Sequence, residues 1–237
     1  MDVVIVAAAV AAVFVGSVTY RELWGPRARI NGELASRPRV LIADVGEQPV
    51  RVVGVARAGS QVLRAPLTGR ACLAYTLKVV DRTSAFVGVV LDLAEIVPFV
   101  VVDETGEAVV DPSGARRVAL EADRVGAMGG AFEKMHQDER QRLRSLIEAK
   151  GAQTTSILGR SLKFAFEEAI LAPGGKVAIG GAGTRETTVD GERPALRASP
   201  ERLVFRHTAD NALLISTWRD ARMVDEKTAM GKRRGHA

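Results

Sequence analysis

The chain has 237 residues, of which 47% are hydrophobic, and it carries a net charge of +5 and one cysteine. That length accommodates one large domain or two small ones. A single cysteine excludes an intramolecular disulfide, and an aromatic content of 5% argues against a stacking platform for single-stranded nucleic acid. The mildly basic charge does not by itself indicate a nucleic-acid partner.

The first predicted element is the uncharged apolar run from Val3 to Tyr20. About 18 residues at ~1.5 Å rise each just cover a hydrocarbon core of about 30 Å, so the run predicts a transmembrane helix. Tyr20 and Trp24 stand where interfacial aromatic residues usually lie. The alternatives are a cleaved signal peptide, which normally has basic residues before its apolar run, and a buried core helix.

Basic residues flank this predicted anchor on one side only. They begin at Arg21 and continue with Arg27, Arg29, Arg37 and Arg39, and none precedes the run. The positive-inside rule therefore predicts a single-pass protein with its N-terminus outside and its main domain in the cytoplasm. We divide the chain into an anchor (1–22), a basic linker (23–48), a β-rich domain (49–222) and a basic tail (223–237).

The segment after the linker is rich in β signals. Pro49 opens a β-branched run that ends at Gly59, and Cys72 to Val80 alternates so that Leu73, Tyr75, Leu77 and Val79 share a face. Phe86 to Leu91 is a further strand candidate. Pro98 to Pro112 predicts a β-hairpin, because two β-branched runs flank a short loop that contains Gly106. The acidic residues of that loop, Asp103 among them, match no calcium-binding spacing, so we interpret the loop as a solvated hairpin tip.

One helix and more strands follow. Ala131 to Ala149 has an apolar stripe typical of a helix that ends at Gly151. Lys163–Leu171 and Lys176–Gly183 predict a second hairpin around Pro173-Gly174-Gly175. Leu203–Phe205 predicts a strand, Ala212–Trp218 a strand or a helix start, and Arg219–Met230 a helix. Many short strands with one helical insertion, at about 131–150, predict a mainly β α+β fold with a small β-barrel-like (OB-like) domain.

Candidate catalytic residues are few. Cys72 has no histidine near it in the sequence, and we interpret it as a small buried strand residue rather than a nucleophile. Glu167 and Glu168 are adjacent, so on a strand they point to opposite faces and do not form a shared acid/base site; we expect one to pack or pair and the other to face water. Gly180 to Gly183 lacks the residues of a phosphate-binding loop and predicts a tight turn. The sequence thus predicts no catalytic residue, no cofactor and no metal site.

Three stretches carry a family resemblance when they are taken in order: VLRAPLTGRACLAY (Val62–Tyr75), VPFVVVDETGEAVVDP (Val97–Pro112) and FAFEEAILAPGGKVAIGGAG (Phe164–Gly183). Together they resemble the GIDE domain, also called BAM for "beside a membrane". That domain is the membrane-flanked part of mitochondrial outer-membrane E3 ubiquitin/SUMO ligases. ALLISTWRDARM is a weaker fourth match, and the set covers roughly residues 50–222.

The resemblance implies a set of motif positions with structural roles: Pro66, Gly69, Cys72, Tyr75, Pro98, Phe99, Asp103, Gly106, Glu168, Gly174 and Gly180. The ligases also carry a zinc-bound RING, which needs clusters of Cys and His at short spacings. This sequence has one Cys and scattered histidines, His136, His207 and His236. It also shows no second membrane helix after Met223. We therefore expect the family's membrane-adjacent domain without its ligase centre.

Three functions remain open on the sequence. The first is a membrane-anchored, non-catalytic interaction or scaffolding module, held in the lipid bilayer through residues 3–20, with a protein partner that the sequence does not identify. The alternative is a member of the RING-type E3 ubiquitin transferase family, which only the resemblance supports. A second alternative is an OB-like nucleic-acid binder, which the low aromatic content disfavours. We expect the first.

Overall fold

The computed structural model describes residues 25–81, 88–114, 117–128, 136–151, 164–187, 201–219 and 221–222. The described chain is mainly β, as predicted. Within it, no helix is long and apolar enough to span a bilayer. The predicted anchor, Val3–Tyr20, and the predicted tail, 223–237, lie outside the described residues.

Two α-helices and fourteen strands make up the described elements. Helix α1 is Pro26–Ser36, helix α2 is Gln137–Ala149, and a 3₁₀ turn covers Ile42–Asp44. The strands in chain order are β1 (Val50–Ala58), β2 (Leu63–Arg64), β3 (Ala71–Cys72), β4 (Ala74–Asp81), β5 (Gly88–Ile96), β6 (Phe99–Val102), β7 (Glu107–Asp111), β8 (Arg117–Ala119), β9 (Ala122–Met128), β10 (Phe164–Leu171), β11 (Lys176–Gly181), β12 (Gly183–Thr187), β13 (Glu201–Arg206) and β14 (Leu214–Ser216).

Eight strands form a large sheet in the order β12-β13-β7-β6-β1-β11-β14-β8. The strands β12 and β11 stand first and sixth in this order, yet only Ala182 separates them in the chain. The sheet must therefore curl until these two strands adjoin. It does not close into a complete ring of strands within the described residues, which differs from the OB-like closure that the sequence predicts.

The main hydrophobic core fills the inside of this curl. Alternate residues of β1, Val50, Val52 and Ala56, point into it, and Phe99 of β6 and Phe205 of β13 join them. This follows from the period-two alternation of a strand. Full burial of one such side chain stabilises the fold by about 1.5–3 kcal/mol.

Helix α1 covers part of the outer face of the large sheet. Its apolar residues Ile30 and Leu34 cluster with Ala178 and Leu214. A Cβ at Gly180 would lie 2.5 Å from Leu34 Cδ2, so a glycine is needed for this close approach. Within the segment predicted as a linker, 23–48, residues 26–36 form a packed helix that Pro26 begins.

Two glycine-rich segments also differ from prediction. Gly180 and Gly181 lie within β11 and Gly183 begins β12, so the predicted tight turn at 180–183 is a bent strand. The predicted second hairpin is wrong, because β10 and β11 belong to different sheets. The connection between them turns at Gly174, which has φ 83° and donates its N–H to Ala56 O at 2.7 Å.

Four strands form a small sheet in the order β5-β4-β10-β9. Helix α2 packs on one face of it, where Leu143 and Ile147 join Leu77, Phe164 and Phe166 in a second core cluster. The apolar stripe predicted over Ala131–Ala149 is confirmed for the described residues 136–149. This small sheet and helix α2 position the candidate site.

The hairpin and the strand predicted after it agree with the structure. The hairpin over Pro98–Pro112 is confirmed, with β6 and β7 paired antiparallel from Phe99↔Val110 to Val102↔Glu107. The predicted strand Leu203–Phe205 lies within β13, and the ambiguous run Ala212–Trp218 contains the strand β14. Of the helix predicted over Arg219–Met230, most residues lie outside the described ones.

Candidate functional site: an anchored turn beside helix α2

The turn Ala65–Arg70 closes the short ladder of β2 and β3. Ala65 N donates to Arg70 O at 2.9 Å, and Gly69 N donates to Ala65 O at 2.8 Å. Gly69 has φ 72°, a left-handed conformation that costs a residue with a side chain roughly 1–2 kcal/mol. The sequence Pro-Leu-Thr-Gly therefore places its glycine where the backbone needs one.

The carboxylate of Glu168 holds the amide side of this turn. Glu168 is completely buried on β10, and its two oxygens accept the N–H of Leu67 at 2.7 Å and that of Thr68 at 3.1 Å. These two hydrogen bonds offset the free-energy cost of removing the carboxylate from water. The adjacent Glu167 points to the other face of the sheet and forms a salt bridge with Arg27. The expectation that these two carboxylates separate is confirmed.

Two arginines hold the carbonyl side of the turn. Arg142 Nε, from helix α2, donates to Leu67 O at 2.7 Å, and Arg64 Nη1 donates to Gly69 O at 3.2 Å. The side chain of Leu67 is fully buried in the core between helix α2 and the small sheet. The turn is therefore fixed by hydrogen bonds to both its amides and its carbonyls, and by the buried side chain of Leu67.

Cys72 and Tyr75 lie next to this arrangement. Cys72 is buried against Ala65 and Ile170. Burial, and then the negative charges of Glu168 and Glu95, raise the pKa of the Cys72 thiol to about 11. The thiol is therefore protonated at neutral pH and is a poor nucleophile.

Tyr75 uses its hydroxyl to join two strands. Tyr75 OH donates to Glu95 Oε2 at 2.8 Å across the β4–β5 pair. Burial, and then the hydrogen bond to Glu95, raise the pKa of Tyr75 to about 12. The phenol consequently stays protonated and keeps its role as a donor.

Asp103 and Gly106 form a second, separate cluster at the tip of the β6–β7 hairpin. Asp103 Oδ1 accepts the N–H of Thr105 at 2.7 Å and that of Gly106 at 3.1 Å, while Oδ2 accepts Ile42 N at 2.8 Å. Burial opposes ionisation here, but the hydrogen bonds from Thr105, Ile42 and Gly106 outweigh it and lower the pKa of Asp103. Asp103 thus fastens the hairpin tip to the 3₁₀ turn.

The other predicted motif positions take no part in either cluster. Phe99 is buried in the main core, and Pro98 before it is exposed. Gly174 forms the turn between the two sheets, and Gly180 lies where Leu34 of helix α1 packs closely on the large sheet. The structure therefore brings together one subset of the motif residues: Pro66, Gly69, Cys72, Tyr75 and Glu168. The predicted anchor residues Val3, Tyr20, Arg21 and Trp24 lie outside the described residues.

A surface groove of about 570 Å³ runs between the turn and helix α2. It is shallow and open to solvent over most of its boundary. It is lined by Pro66, Asp138, Gln141, Arg142, Ser145 and Leu146. Sequence reasoning missed Arg142 and Arg64, since a charged residue on a predicted helix or strand is normally assigned to the solvated surface.

Within the described residues, no group of three or more His, Cys, Asp and Glu side chains could hold a metal ion. Comparison of the chain with protein-family models, with curated proteins and with solved structures finds no match. The geometry of the site therefore indicates what it can do. It offers a rigid turn, an adjacent groove lined by one acidic and one basic residue, and a thiol held in its protonated form.

Proposed function

We propose that this chain is a single-pass, membrane-anchored module of the GIDE type that binds a protein partner at the cytoplasmic face without catalysing a reaction. The resemblance of Val62–Tyr75, Val97–Pro112 and Phe164–Gly183 to that domain supports the type. The uncharged run Val3–Tyr20 and the basic residues after it support the anchor and its orientation.

The observation that carries the binding proposal is the groove beside the anchored turn. Glu168, Arg142 and Arg64 hold the turn from opposite sides, so one wall of the groove is rigid before any partner arrives. A rigid wall lowers the entropic cost of association. The same bonds occupy Glu168 and Arg142 within the fold, which suits a scaffold better than a reaction centre.

The lining of the groove indicates the chemistry of the partner. Pro66 and Leu146 provide apolar surface, Gln141 and Ser145 provide polar groups, and Asp138 and Arg142 provide one charge of each sign. Such a lining suits a short peptide segment with an apolar side chain flanked by polar or oppositely charged ones. These described lining residues offer neither an array of cations for phosphates nor exposed aromatic rings for bases.

The ubiquitin-transferase alternative requires chemistry that the described residues do not support. A RING centre depends on clustered Cys and His ligands, whereas Cys72 is buried with a protonated thiol. An assay with E1, E2 and ubiquitin distinguishes the two proposals. We expect conjugation no greater than in a blank without the protein, and conjugation clearly above that blank would favour the enzyme.

Site-specific photo-crosslinking in cells tests the binding proposal directly. A photo-reactive amino acid at Ser145, in the groove, is expected to give a discrete protein adduct. The same amino acid at Ser113, exposed on the loop after β7, is the matched control and is expected to give none. The Ser145 adduct should disappear when residues 3–20 are deleted, because the partner is reached at the membrane. Identical adducts at both positions, or none at Ser145, would contradict the proposal.

A further inference from the structure

The small sheet has two faces with different surroundings. One face carries Phe166, Leu77 and Leu91, which pack with Leu143 of helix α2. On the opposite face, two rows of residues run across the strands. The first row joins Val125, Glu167, Lys78 and Asp92, and the second joins Ala165, Val80 and Val89. We call this second surface the open face.

Apolar side chains are unusually exposed on the open face. Val125 is 68% exposed and Val89 is 56% exposed, the two highest values among the large apolar residues that the structure describes. They lie on the two edge strands, β9 and β5, with half-buried Val80 between them. Single exposed valines are ordinary on a protein surface, so what distinguishes these two is the position of their face beside the predicted anchor.

The charges of the open face balance each other. Lys78 lies in register between Glu167 on one side and Asp92 on the other. Arg27, from the first turn of helix α1, forms a salt bridge with Glu167. Two cations and two anions therefore cancel, and the face presents neutral groups rather than a basic patch.

The path of the chain connects the open face to the predicted anchor. Arg27, which contacts Glu167, lies only seven residues after Tyr20, the end of the apolar run. Seven residues span at most about 25 Å even when fully extended. If Val3–Tyr20 lies in a bilayer, the surface of that bilayer must therefore be within this distance of Arg27 and of the open face beside it.

We infer that the open face of the small sheet lies against the surface of the lipid bilayer, with Val125 and Val89 as its apolar contacts. This inference rests on the proposed membrane anchor. Because helix α2 and the anchored turn occupy the opposite face of the sheet, the groove points away from the bilayer toward water and toward a protein partner. The neutrality of the face implies that the contact does not depend on anionic lipid.

Fluorescence quenching in vesicles tests this arrangement. Val125→Cys and Val89→Cys are made in the full chain, with Ala149→Cys at the exposed end of helix α2 as the matched control. Each variant is labelled with an environment-sensitive thiol dye; native Cys72 is buried and protonated, so it does not compete for the dye. The chains are reconstituted into phosphatidylcholine vesicles, with and without phosphatidylglycerol. Quenching is compared between aqueous iodide and a lipid that carries a nitroxide near its headgroup.

At positions 125 and 89 we expect a loss of iodide quenching and a gain of quenching by the lipid nitroxide. At position 149 we expect the reverse. Both results should hold in both lipid mixtures.

Equal iodide quenching at all three positions, in protein that floats with the vesicles, overturns the inference and leaves the anchor intact. Protein that fails to float overturns the anchor proposal and the inference with it. Iodide protection accompanied by disulfide-linked dimers of unlabelled Val125→Cys also overturns it, because a second copy then covers the face. Protection only with phosphatidylglycerol overturns the neutral mode of contact.

Discussion

Glu168 and Leu67 are joined across 101 residues of chain by a hydrogen bond of 2.7 Å from the Leu67 N–H to a fully buried carboxylate oxygen. The second oxygen accepts Thr68 N, so the bond fixes the turn to the middle of the small sheet. Removing an acceptor from such a site leaves a buried N–H without a partner, which is costlier than the bond itself is stabilising.

Glu168→Gln is therefore expected to lower the free energy of unfolding by about 1–3 kcal/mol, because the amide presents an N–H₂ donor to one of the two backbone donors. Glu167→Gln is the control on the same strand. Its carboxylate is partly exposed in its salt bridge with Arg27, so its loss should cost less than about 1 kcal/mol. Thermal unfolding of the full chain in detergent measures both variants. Equal losses would mean that the buried carboxylate does not fix the turn.

Glycine substitutions should change stability in opposite directions. Gly69→Ala places a side chain at φ 72° and is expected to destabilise the chain by roughly 1–2 kcal/mol. Gly32→Ala, inside helix α1 with no atom within 4 Å of the added Cβ, should stabilise it by about 0.5–1 kcal/mol. The difference in melting temperature between the two variants is the measurement. A neutral or stabilising Gly69→Ala would contradict the left-handed conformation of the turn.

How much of this could be read from the sequence depends on how local the signal is. The hairpin β6–β7 is predictable because its loop residues and β-branched flanks lie within fifteen residues, from Pro98 to Pro112. Helix α1 was missed because most of its residues are polar or small and, among its described side chains, only Ile30 and Leu34 are buried. The proline at its start and Gly32 inside it resemble connector residues when their packing is unknown.

The candidate site likewise combines local features, which the sequence shows, with long-range contacts, which it does not show. The alternation of a strand is enough to separate Glu167 from Glu168. It does not reveal that the partner of Glu168 is the backbone of Leu67 or that Arg142 caps the same turn, because both contacts depend on how the two sheets and helix α2 come together. The false second hairpin has a related cause: Pro173-Gly174 is a good turn, but tertiary packing sends the strands that it joins into different sheets.

The pH dependence of stability should report on Asp103. Its folded pKa is lowered, so its ionised form stabilises the fold above the unfolded pKa, and that contribution is lost as the pH falls through the folded pKa. Asp103→Asn is expected to cost about 1 kcal/mol at pH 7, since one amide oxygen does not serve both Ile42 N and the hairpin tip. The difference between wild type and variant should shrink when the pH is lowered below about 4.

Asp44→Asn is the control for this experiment, since Asp44 is exposed in the 3₁₀ turn that Asp103 contacts. Melting temperatures at pH 7 and pH 3 give the comparison. A difference between wild type and Asp103→Asn that persists unchanged at the lower pH would show that the carboxylate charge is not what holds the tip.

Arg142 is expected to hold the turn closed from the side of helix α2. Its Nε donates to Leu67 O at 2.7 Å, a bond to a charged donor that is worth about 1.5–3 kcal/mol. Arg142→Ala should therefore raise the hydrogen-exchange rates of the Leu67, Thr68 and Gly69 amides by roughly tenfold or more, because the turn opens more often. The amides in the middle of β10 should keep their protection, since the sheet bonds on both sides of that strand remain.

Arg144→Ala is the control. It lies at an exposed position two residues along the same helix, removes the same charge and should leave the exchange rates of the turn amides unchanged. Equal acceleration in both variants would attribute the effect to helix α2 as a whole, and no acceleration in either would mean that Arg142 does not hold the turn closed.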